Sequence, residues 1–580
     1  MKQTLWRLAT VALLFTPLSL MVGASSKIAP DLTRVSPQSS VSVIIRFSSP
    51  LDHAGKEKLL KHGGILTANL EFIHSASYTV PASALESIAA LPQVDYISPD
   101  RSVKATLDYA NTAVGAQAAF QAGWDGSGVG IAVIDSGITS SADLNDNSSK
   151  KGASRILYTE SFVDNSPKAK DKYGHGTHVA GILAGNGSAS TGSNYFRTFT
   201  GVAPRANLID LKVLDDNGVG TDSAVIAAIG RAIQLRTTYN IRVINLSLGR
   251  PVYESYTQDP LCQAAEQAWL AGIVVVAAAG NEGRNNTQGT SGYATITAPG
   301  NDPLVITVGA TKTMQTLSAA DDLIASYSSK GPTLIDHIVK PDLVAPGNRI
   351  ASLASSNSVV AHAADANQIP ISYYESTKAQ SFSHDYYRLS GTSMAAPMVS
   401  AAAALLLQQN PALTPDAIKA RLMKTASKSF PQSSTAVDPV TGVAYTSQYD
   451  VFTVGAGRLD VWAALNSRDT APTVGAASSP TAVFDPVSQT VRVVSTTSAV
   501  WGTTAVWGTT AVWGTTAVWG TNVFVGGTTA VWGTTAVWGS TAVWGAAGVS
   551  GNTAVWGSTA VWGTTATFAE DMGRLVNGEQ

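Results

Sequence analysis

The sequence predicts an α/β protein with a doubly wound, mostly parallel sheet as its largest domain. In residues 112–466, apolar strand patterns alternate with helical patterns, and several strands are apolar at successive positions, as in strands covered on both faces. Residues 41–100 carry the pattern β-α-β-β-α-β, which predicts a ferredoxin-like α+β domain. From residue 499 a hexapeptide, AVWGTT, recurs, which predicts a separate β-rich or poorly ordered C-terminal segment.

Composition restricts the function classes. The chain has 580 residues, so several domains are expected; 44% of residues are hydrophobic, 13% are charged and the net charge is −2. The absence of a basic excess argues against nucleic acid as a partner. The single cysteine, Cys262, excludes an intrachain disulfide and a multi-cysteine zinc site. Its apolar helical surroundings predict a buried small side chain.

The first 24 residues have the features of a secretory signal peptide. Lys2 and Arg7 precede an apolar run, and VGA precedes the expected cut near Ala24. Pro17 interrupts the run, which is short for a stable membrane-spanning helix, and no other stretch is long and apolar enough to span. We therefore expect a secreted, extracellular protein.

Residues 25–105 form the predicted ferredoxin-like domain. From the pattern alone, two interpretations stay open: a folding chaperone or inhibitor of the domain that follows, or an ordinary N-terminal domain. The domain that follows has strand candidates VGIAVID, NLIDLKVL, RVINLSLG, GIVVVAAAGN and PLVITVGAT. Ligands of doubly wound domains bind beyond the carboxyl ends of such strands.

The stretch YGHGTHVAGILAG places His175 and His178 at the start of an apolar run. Taken alone, it fits a metal-binding pair, a structural pair, or one catalytic histidine. A zinc helix prefers histidines four apart with a glutamate beside the first, and neither feature is present. The rest of the chain must decide between these interpretations.

Three polar residues lie at element boundaries where this fold predicts chemistry. Asp135 ends the strand VGIAVID, His175 begins a helix, and Ser393 begins the helix in GTSMAAPMVS. A serine nucleophile needs a base, and the base needs a carboxylate that orients it. The helix N-terminus after Ser393 and the amide of Asn281, in AAGN, could stabilise an oxyanion. Each residue alone also fits a cap or a turn, but their joint placement favours catalysis.

The motifs VIDSGI, HGTHVAGILAG, NLSLG, AAGN and GTSMAAP, in this order, resemble the subtilisin-like serine proteases over residues 112–466. The resemblance implies that Asp135 orients the base, His175 is general base and acid, Ser393 is the nucleophile, and Asn281 is an oxyanion donor. His178 would then support the site by packing or hydrogen bonding.

The resemblance also implies a substrate site. Ser247, Leu248 and Gly249 would pair their backbone with an extended peptide. Glu282 would line the mouth of the S1 pocket and favour a basic side chain, whereas Thr297 replaces a glycine and would narrow the pocket. We expect broad specificity with a modest limit on bulky P1 side chains.

Calcium stays open at this point. Asp143 is a candidate calcium ligand by resemblance, but residues 186–204 do not match the usual calcium loop of the family. Calcium needs six to eight oxygen ligands, which the sequence does not assemble here. The chemistry itself requires no cofactor.

The predicted function is a secreted serine endopeptidase that hydrolyses proteins and peptides through an acyl-enzyme. The resemblance implies that residues 25–105 are a propeptide, an intramolecular inhibitor that the enzyme itself removes by cleavage between about Lys104 and Ala110. The alternative is a surface-binding or polymer-binding protein in which the repeats are the functional part.

The repeats occupy residues 499–565, after a predicted linker at 471–498 and before a tail at 566–580. Their tryptophans are Trp501, Trp507, Trp513, Trp519, Trp532, Trp538, Trp544, Trp556 and Trp562. Six is a multiple of two, so extended chain repeats one alternation, and Gly, Thr and Val disfavour helix. A stacked β-solenoid, a loosely ordered tail and a flat surface that contacts a polymer or the envelope stay open. Truncation after about Asp469 is expected to leave hydrolysis intact.

Overall fold

A computed structural model describes residues 27–99, 105–106, 110–494, 566–568 and 579, apart from 30–31, 33–34, 50–52, 71–73, 147–151, 164–168, 288, 317–320, 364, 378, 380, 439–440, 472 and 486–489. The chain divides into two compact units, Met1–Val103 and Lys104–Gln580. The predicted signal peptide and the repeats at 499–565 lie outside the described residues.

The first unit is one antiparallel sheet with two helices. Its elements are β1 (Ser40–Phe47), α1 (His53–Lys61), β2 (Ile65–Leu70), β3 (Ser75–Pro81), α2 (Leu85–Ala89) and β4 (Val94–Pro99), with sheet order β2-β3-β1-β4. Val43, Ile45 and Phe47 of β1 are buried while their neighbours are not, so one face of the sheet covers a core. This is the element order that the sequence predicts.

The second unit is built on a central, mostly parallel sheet. The strands of this unit between residues 105 and 346, which include those of the central sheet, are β5 (Ala105–Thr106), β6 (Gly130–Asp135), β7 (Ile156–Ser161), β8 (Arg197–Thr198), β9 (Asn207–Lys212), β10 (Val219–Thr221), β11 (Ile241–Leu246), β12 (Val274–Ala278), β13 (Ile306–Lys312), β14 (Leu323–Ile324) and β15 (Leu343–Pro346). The sheet order is β14-β13-β12-β11-β6-β9-β7, with β15 also beside β13. Among the described strand pairs of this sheet, only β13–β14 is antiparallel.

Helices cover this sheet. They are α3 (Ala110–Ala113), α4 (Ala116–Gln121), α5 (His175–Ala184), α6 (Asp222–Leu235), α7 (Pro260–Leu270), α8 (Thr392–Gln409), α9 (Pro415–Thr425), α10 (Val451–Val454) and α11 (Val461–Asn466). Helix α5 packs on α8, and α6 packs on α7. Every residue of β6 is buried, and since its side chains alternate between faces, both faces of the sheet are covered. The predicted mixed α/β fold with a mostly parallel sheet is confirmed.

The remaining strands form smaller sheets. They are β16 (Ile350–Leu353), β17 (Gln368–Pro370), β18 (Phe382–Leu389), β19 (Ser433–Val437), β20 (Ala444–Gln448), β21 (Thr481–Asp485), β22 (Thr490–Val494) and β23 (Ala566–Phe568). The order β16-β18-β17 makes one antiparallel sheet, β19–β20 and β21–β22 are hairpins, and β23 pairs with β10. Within the part of the chain that the structure describes, no helix has the length and apolarity needed to cross a bilayer.

The described part of the segment predicted as a linker packs into the second unit as far as Val491. Its buried side chains include Ala471, Ala476, Ala477, Ala482 and Val491, all in the main core. The backbone N–H of Ala477 donates to Asp416 (2.9 Å), and the Ser479 hydroxyl donates to Asp342 (2.5 Å). The stretch GAASSP has no apolar period, so the sequence pattern could not reveal this packing.

Ser479 belongs to a buried charge cluster. The Asp342 carboxylate lies 2.7 Å from Lys340 Nζ and 3.2 Å from Lys419 Nζ, and all three side chains are fully buried. Burial alone would raise the pKa of Asp342, but Lys340 and Lys419 lower it below its usual value. Burial lowers the pKa of Lys419 to about 7. The segment after Asp469 therefore supplies a hydrogen bond to a buried ion pair of the second unit.

His178 connects α5 to the smaller sheet. Its Nε2 lies 3.0 Å from the Ile350 carbonyl oxygen and 3.1 Å from that of Tyr387. Carbonyl oxygens only accept hydrogen bonds, so this nitrogen carries the proton. Burial, with a smaller contribution from the charge of His175, lowers the pKa of His178 to about 3. His178 is thus a neutral structural histidine at neutral pH.

Two truncated chains distinguish the contribution of residues 470–494 to stability from that of the repeats. A chain ending at Asp469 should unfold at a temperature lower by roughly 5–10 °C than a chain ending at Val494, because it loses several buried side chains and the Ser479 hydrogen bonds. Calorimetry on both chains, in the Ser393→Ala background to prevent self-digestion, makes the comparison. Both chains lack the repeats and everything beyond them. Equal unfolding temperatures would therefore show that residues 470–494 contribute nothing to the stability of the protein.

His178 should make stability depend on pH. Its pKa is about 3 folded against 6.5 unfolded, so between these values the unfolded chain binds more protons. His178 therefore leaves the free energy of unfolding undiminished above pH 6.5 and lowers it progressively as the pH falls from 6.5 toward 3. We expect the slope of unfolding free energy against pH, measured by urea titration between pH 6 and 4, to fall by up to about 1.4 kcal/mol per pH unit in His178→Gln. Equal slopes in the two proteins would contradict this assignment.

Candidate active site

Asp135 is held at the carboxyl end of β6 with its side chain buried. Its Oδ1 accepts a hydrogen bond from the Ser136 backbone N–H (2.7 Å) and lies 2.7 Å from Nδ1 of His175. On the neighbouring strand β9, Lys212 donates from Nζ to the Ser136 carbonyl oxygen (2.7 Å). The turn after β6 is therefore fixed on both sides, and the carboxylate is directed at one nitrogen of the imidazole.

His175 is the first residue of α5, and the glycines around it explain how it reaches Asp135. Gly174 has φ 103°, a left-handed conformation that side chains disfavour. A Cβ on Gly176 would lie 2.3 Å from the Gly137 carbonyl oxygen and 3.2 Å from the Asp135 side chain. Only a residue without Cβ lets the first turn of α5 approach the end of β6 this closely.

Asp171 also organises the site, a role that the sequence motifs do not predict. Its Oδ1 accepts hydrogen bonds from the Gly174 N–H (2.6 Å) and the Ser136 hydroxyl (2.9 Å). Its Oδ2 accepts the N–H (2.8 Å) and hydroxyl (2.6 Å) of Thr177. Burial raises the pKa of Asp171 above its usual value. The sequence feature that could have predicted this role is an acid just ahead of a helix start, because carboxylates there accept hydrogen bonds from the first N–H groups of the helix.

Ser393, the second residue of α8, exchanges hydrogen bonds with Ser247. Its hydroxyl donates to the Ser247 carbonyl oxygen (2.8 Å), and the Ser247 hydroxyl donates to the Ser393 carbonyl oxygen (2.8 Å). The second bond has a cause in the sequence: Pro397, four residues later, has no N–H to donate to that carbonyl within the helix. Ser247 takes the place of the missing helical donor.

Asn281 is tied to the N-terminus of the same helix. Its Oδ1 accepts the Thr392 backbone N–H (3.0 Å), while the Thr392 hydroxyl accepts the Gly280 N–H (3.1 Å). These reciprocal bonds fix which end of the Asn281 amide is the donor, and they hold that donor beside the start of α8. Thr392 thus positions Asn281, a role that was not predicted from the sequence although Thr392 directly precedes Ser393.

The structure thus brings the predicted residues together in two bonded groups. Asp135 bonds to His175 at the start of α5. Ser393 and Asn281 are held at the start of α8, the first through Ser247 and the second through Thr392. The helices that begin with these two groups, α5 and α8, pack on each other.

The predicted substrate residues lie around the same helix end. Thr297 occupies the space between two backbone segments: a Cβ on Gly249 would lie 2.6 Å from its Oγ1, and a Cβ on Gly280 would lie 2.7 Å from its Cγ2. Leu248 is buried. The Glu282 backbone N–H donates to the Ser329 hydroxyl (3.0 Å), and its carboxylate accepts from the side chain of Asn285 (3.3 Å).

Asp143 is surrounded by hydrogen-bond donors. Its Oδ1 accepts the Ala189 N–H (2.7 Å), and its Oδ2 accepts the Tyr386 hydroxyl (2.7 Å). Burial raises the pKa of this carboxyl above its usual value. A calcium ion needs oxygen lone pairs turned toward it, whereas these neighbours present N–H and O–H groups. These surroundings of Asp143 do not fit a calcium ligand, the role for which the resemblance made it a candidate.

Cys262 lies outside this site. Its side chain is buried on α7, its thiol donates to Asn301 Oδ1 (3.3 Å), and burial raises its pKa far above the usual value. The predicted burial of Cys262 is confirmed.

Comparison with known proteins gives a consistent result. The model of the subtilase family matches residues 126–443, more than half of the chain. Serine protease AprX of Bacillus subtilis is 37% identical over 417 residues, which cover 68% of this chain and 85% of that protein. Subtilisin E of the same species is 33% identical over 377 residues, with 64% and 80% covered. An alkaline protease of Shouchella clausii is 32% identical over 368 residues, with 62% and 77% covered.

The family match contains all the site residues described above, from Asp135 to Ser393. It agrees with the resemblance drawn from the motifs and with the mostly parallel α/β sheet. The chain therefore belongs to the subtilase family and is a serine endopeptidase.

Proposed function

We propose that Asp135, His175 and Ser393 form the catalytic triad and that Asn281 is an oxyanion donor. The observation that carries the proposal is the buried contact between Asp135 Oδ1 and His175 Nδ1, 2.7 Å long. A carboxylate at Nδ1 leaves Nε2 as the basic nitrogen and stabilises the imidazolium that forms when the serine loses its proton.

Acylation begins with a change of hydrogen-bond partner. The Ser393 hydroxyl rests on the Ser247 carbonyl oxygen, and rotation about its χ1 angle directs it to His175 Nε2. The hydroxyl then attacks the substrate carbonyl carbon as its proton passes to His175, which returns that proton to the leaving amine. Water repeats the sequence to release the acid and restore Ser393.

The developing oxyanion lies at the start of α8. The Asn281 amide and the first N–H groups of an 18-residue helix supply donors and the positive end of a dipole. These groups are already held by Thr392 and by the packing of α8, so little reorganisation accompanies the reaction.

The substrate is a protein or peptide, which the family implies. We infer that Ser247–Gly249 pair with extended substrate backbone. Thr297 projects between Gly249 and Gly280 and narrows the pocket, whereas Glu282 places a carboxylate nearby that favours basic side chains. The result is broad specificity with a limit on bulky groups.

Residues 25–105 act as a propeptide in this proposal. Their support is the separate compact unit Met1–Val103, which has its own core and ends just before the predicted cleavage region at 104–110. The enzyme removes this unit itself after export, so that the mature protein is extracellular.

The tryptophan repeats would then mediate contact with a polymer or the envelope. A binding protein without enzyme activity, the alternative class, is disfavoured by the family match.

Ser393→Ala should abolish both hydrolysis and maturation. We expect kcat for a small peptide substrate to fall by about 10⁵–10⁶-fold, because the nucleophile is removed. The purified variant should keep the size of the signal-cleaved precursor. Mass spectrometry should also find the sulfonyl adduct of phenylmethylsulfonyl fluoride on Ser393 in the wild type.

Ser356→Ala, which alters an exposed serine, is the matched control and should mature and hydrolyse normally. Activity within tenfold of the wild type in Ser393→Ala would remove Ser393 from the mechanism. A mature-sized band from purified Ser393→Ala would instead show that another protease cuts the junction.

A further inference from the structure

The second unit contains a built site for a carboxylate, and the chain's own Glu579 fills it. Glu579 is 2% exposed. Its carboxylate lies 2.8 Å from Arg284 Nη2 and 3.4 Å from Lys312 Nζ, and it accepts the Ser326 backbone N–H (2.7 Å) and the Ser326 hydroxyl. The side-chain amide of Asn348 holds the backbone of Glu579 at both N–H and C=O (2.7 Å each). We call these four residues the Glu579 cradle.

The cradle lies next to the loop that carries the proposed oxyanion donor. Arg284 follows Asn281 by three residues, and between them the Gly283 N–H donates to the Tyr327 carbonyl oxygen (2.8 Å), beside Ser326. A buried carboxylate costs free energy unless it is paired and hydrogen-bonded, and here two cations and several donors surround it. Glu579 is therefore a specific anchor for the end of the chain.

The same C-terminal segment makes a second contact. Strand β23 pairs antiparallel with β10, with Phe568 opposite Val219, Thr567 opposite Gly220 and Ala566 opposite Thr221. Within the described residues, β10 has no other strand neighbour. The tail thus adds a strand to an exposed edge, which is a general mode of peptide binding.

The edge of β10 lies beside the proposed triad. Gly218, just before β10, packs on the Tyr173 ring, since a Cβ there would lie 2.6 Å from that ring. The centroid of the Tyr173 ring is 6.4 Å from that of His175. An extended peptide on β10 therefore starts beside the Tyr173 ring, which neighbours His175.

The other end of β10 is joined to the predicted substrate segment. Asp222 follows β10 directly and lies 2.9 Å from Arg250 Nη2, and Arg250 follows Gly249 directly. Arg250 is held in turn by the buried Asp259 (2.8 Å). This ion pair fixes β10 and residues 247–249 relative to each other, so both border the region in which substrate must bind.

We propose that residues 566–580 are an intramolecular competitive inhibitor, with β23 on the β10 edge and Glu579 as its anchor. A strand of three residues alone holds weakly, but an anchored tail binds at high effective concentration. Substrate must displace it, so docking raises KM without changing the chemical step. This inference rests on the proposed function, since it takes the site beside His175 as the place of hydrolysis.

Docking can be measured without activity. In the full chain carrying Ser393→Ala, Glu579→Gln should speed amide hydrogen exchange in a peptide covering residues 218–222 by at least about tenfold, because the anchor and then the strand are lost. Glu570→Gln, which removes the same charge from the same tail, is the matched control and should leave exchange unchanged.

A second pair of variants avoids the cradle. Thr567→Pro removes a backbone N–H and fixes φ within β23. Thr567→Ala keeps the N–H and leaves φ unrestricted. Only the proline variant should speed exchange at residues 218–222. This pair decides the question even if Glu579→Gln destabilises the whole protein.

Inhibition is then measured in chains that keep Ser393. Glu579→Gln and Thr567→Pro should lower KM for a small peptide substrate by at least about fivefold with kcat unchanged. A synthetic peptide of residues 564–580 should restore the higher KM competitively in Glu579→Gln, and the same peptide with Glu579→Gln should be weaker.

Equal exchange in all variants would overturn the docking. Faster exchange with an unchanged KM would overturn the inhibition, because the tail would then bind without obstructing substrate. Loss of hydrolysis in every chain, including the wild type, would refute the proposed function, and the exchange result would still decide whether the tail docks.

Discussion

The buried hydrogen bond between Asp135 and His175 is the contact on which the site depends. Both side chains are withdrawn from water, so the bond exists only if the end of β6 and the start of α5 are brought within van der Waals distance. Gly176 makes this approach sterically feasible, and Asp171 and Lys212 hold the two backbones that meet there. A carboxylate without such support would be costly to bury.

The surroundings of Asp135 also limit the negative charge close to its carboxylate. Asp210, on the adjacent strand β9, is buried near both Asp135 and Asp171. Burial first, and then the charge of these carboxylates, raises the pKa of Asp210 well above its usual value. This shift favours the protonated form of Asp210, which places no like charge beside the carboxylate of Asp135.

Helix α8 has the corresponding role for Ser393, the proposed nucleophile. Pro397 removes one helical donor, and Ser247 replaces it while accepting the Ser393 hydroxyl. Ser247 is held by the side chain of Asn245 (2.9 Å), which accepts the hydroxyl of Ser400 two turns along the helix (2.8 Å). A chain of side-chain bonds therefore fixes α8 on β11, and the position of Ser393 follows from that packing.

Much of this arrangement could be predicted from local sequence. Continuously apolar strands such as β6 report a sheet covered on both faces, and the fixed order of short motifs reports which residues share its functional edge. The roles of Asp171 and Thr392 could not be predicted with the same ease, because their partners are set by folding. Residues 471–494 and Glu579 were missed for related reasons: small residues have no periodic signal, and the side chain of Glu579 is buried only because cations distant in sequence contact it.

The most direct test of the account is kcat for Asp135→Asn in protein whose circular dichroism and unfolding temperature match the wild type. Asparagine has nearly the shape of aspartate but cannot stabilise the imidazolium or fix the same tautomer. We expect kcat to fall by about 10⁴-fold with KM nearly unchanged. A kcat within tenfold of the wild type would contradict the account, since the Asp135–His175 bond would then not be what activates Ser393.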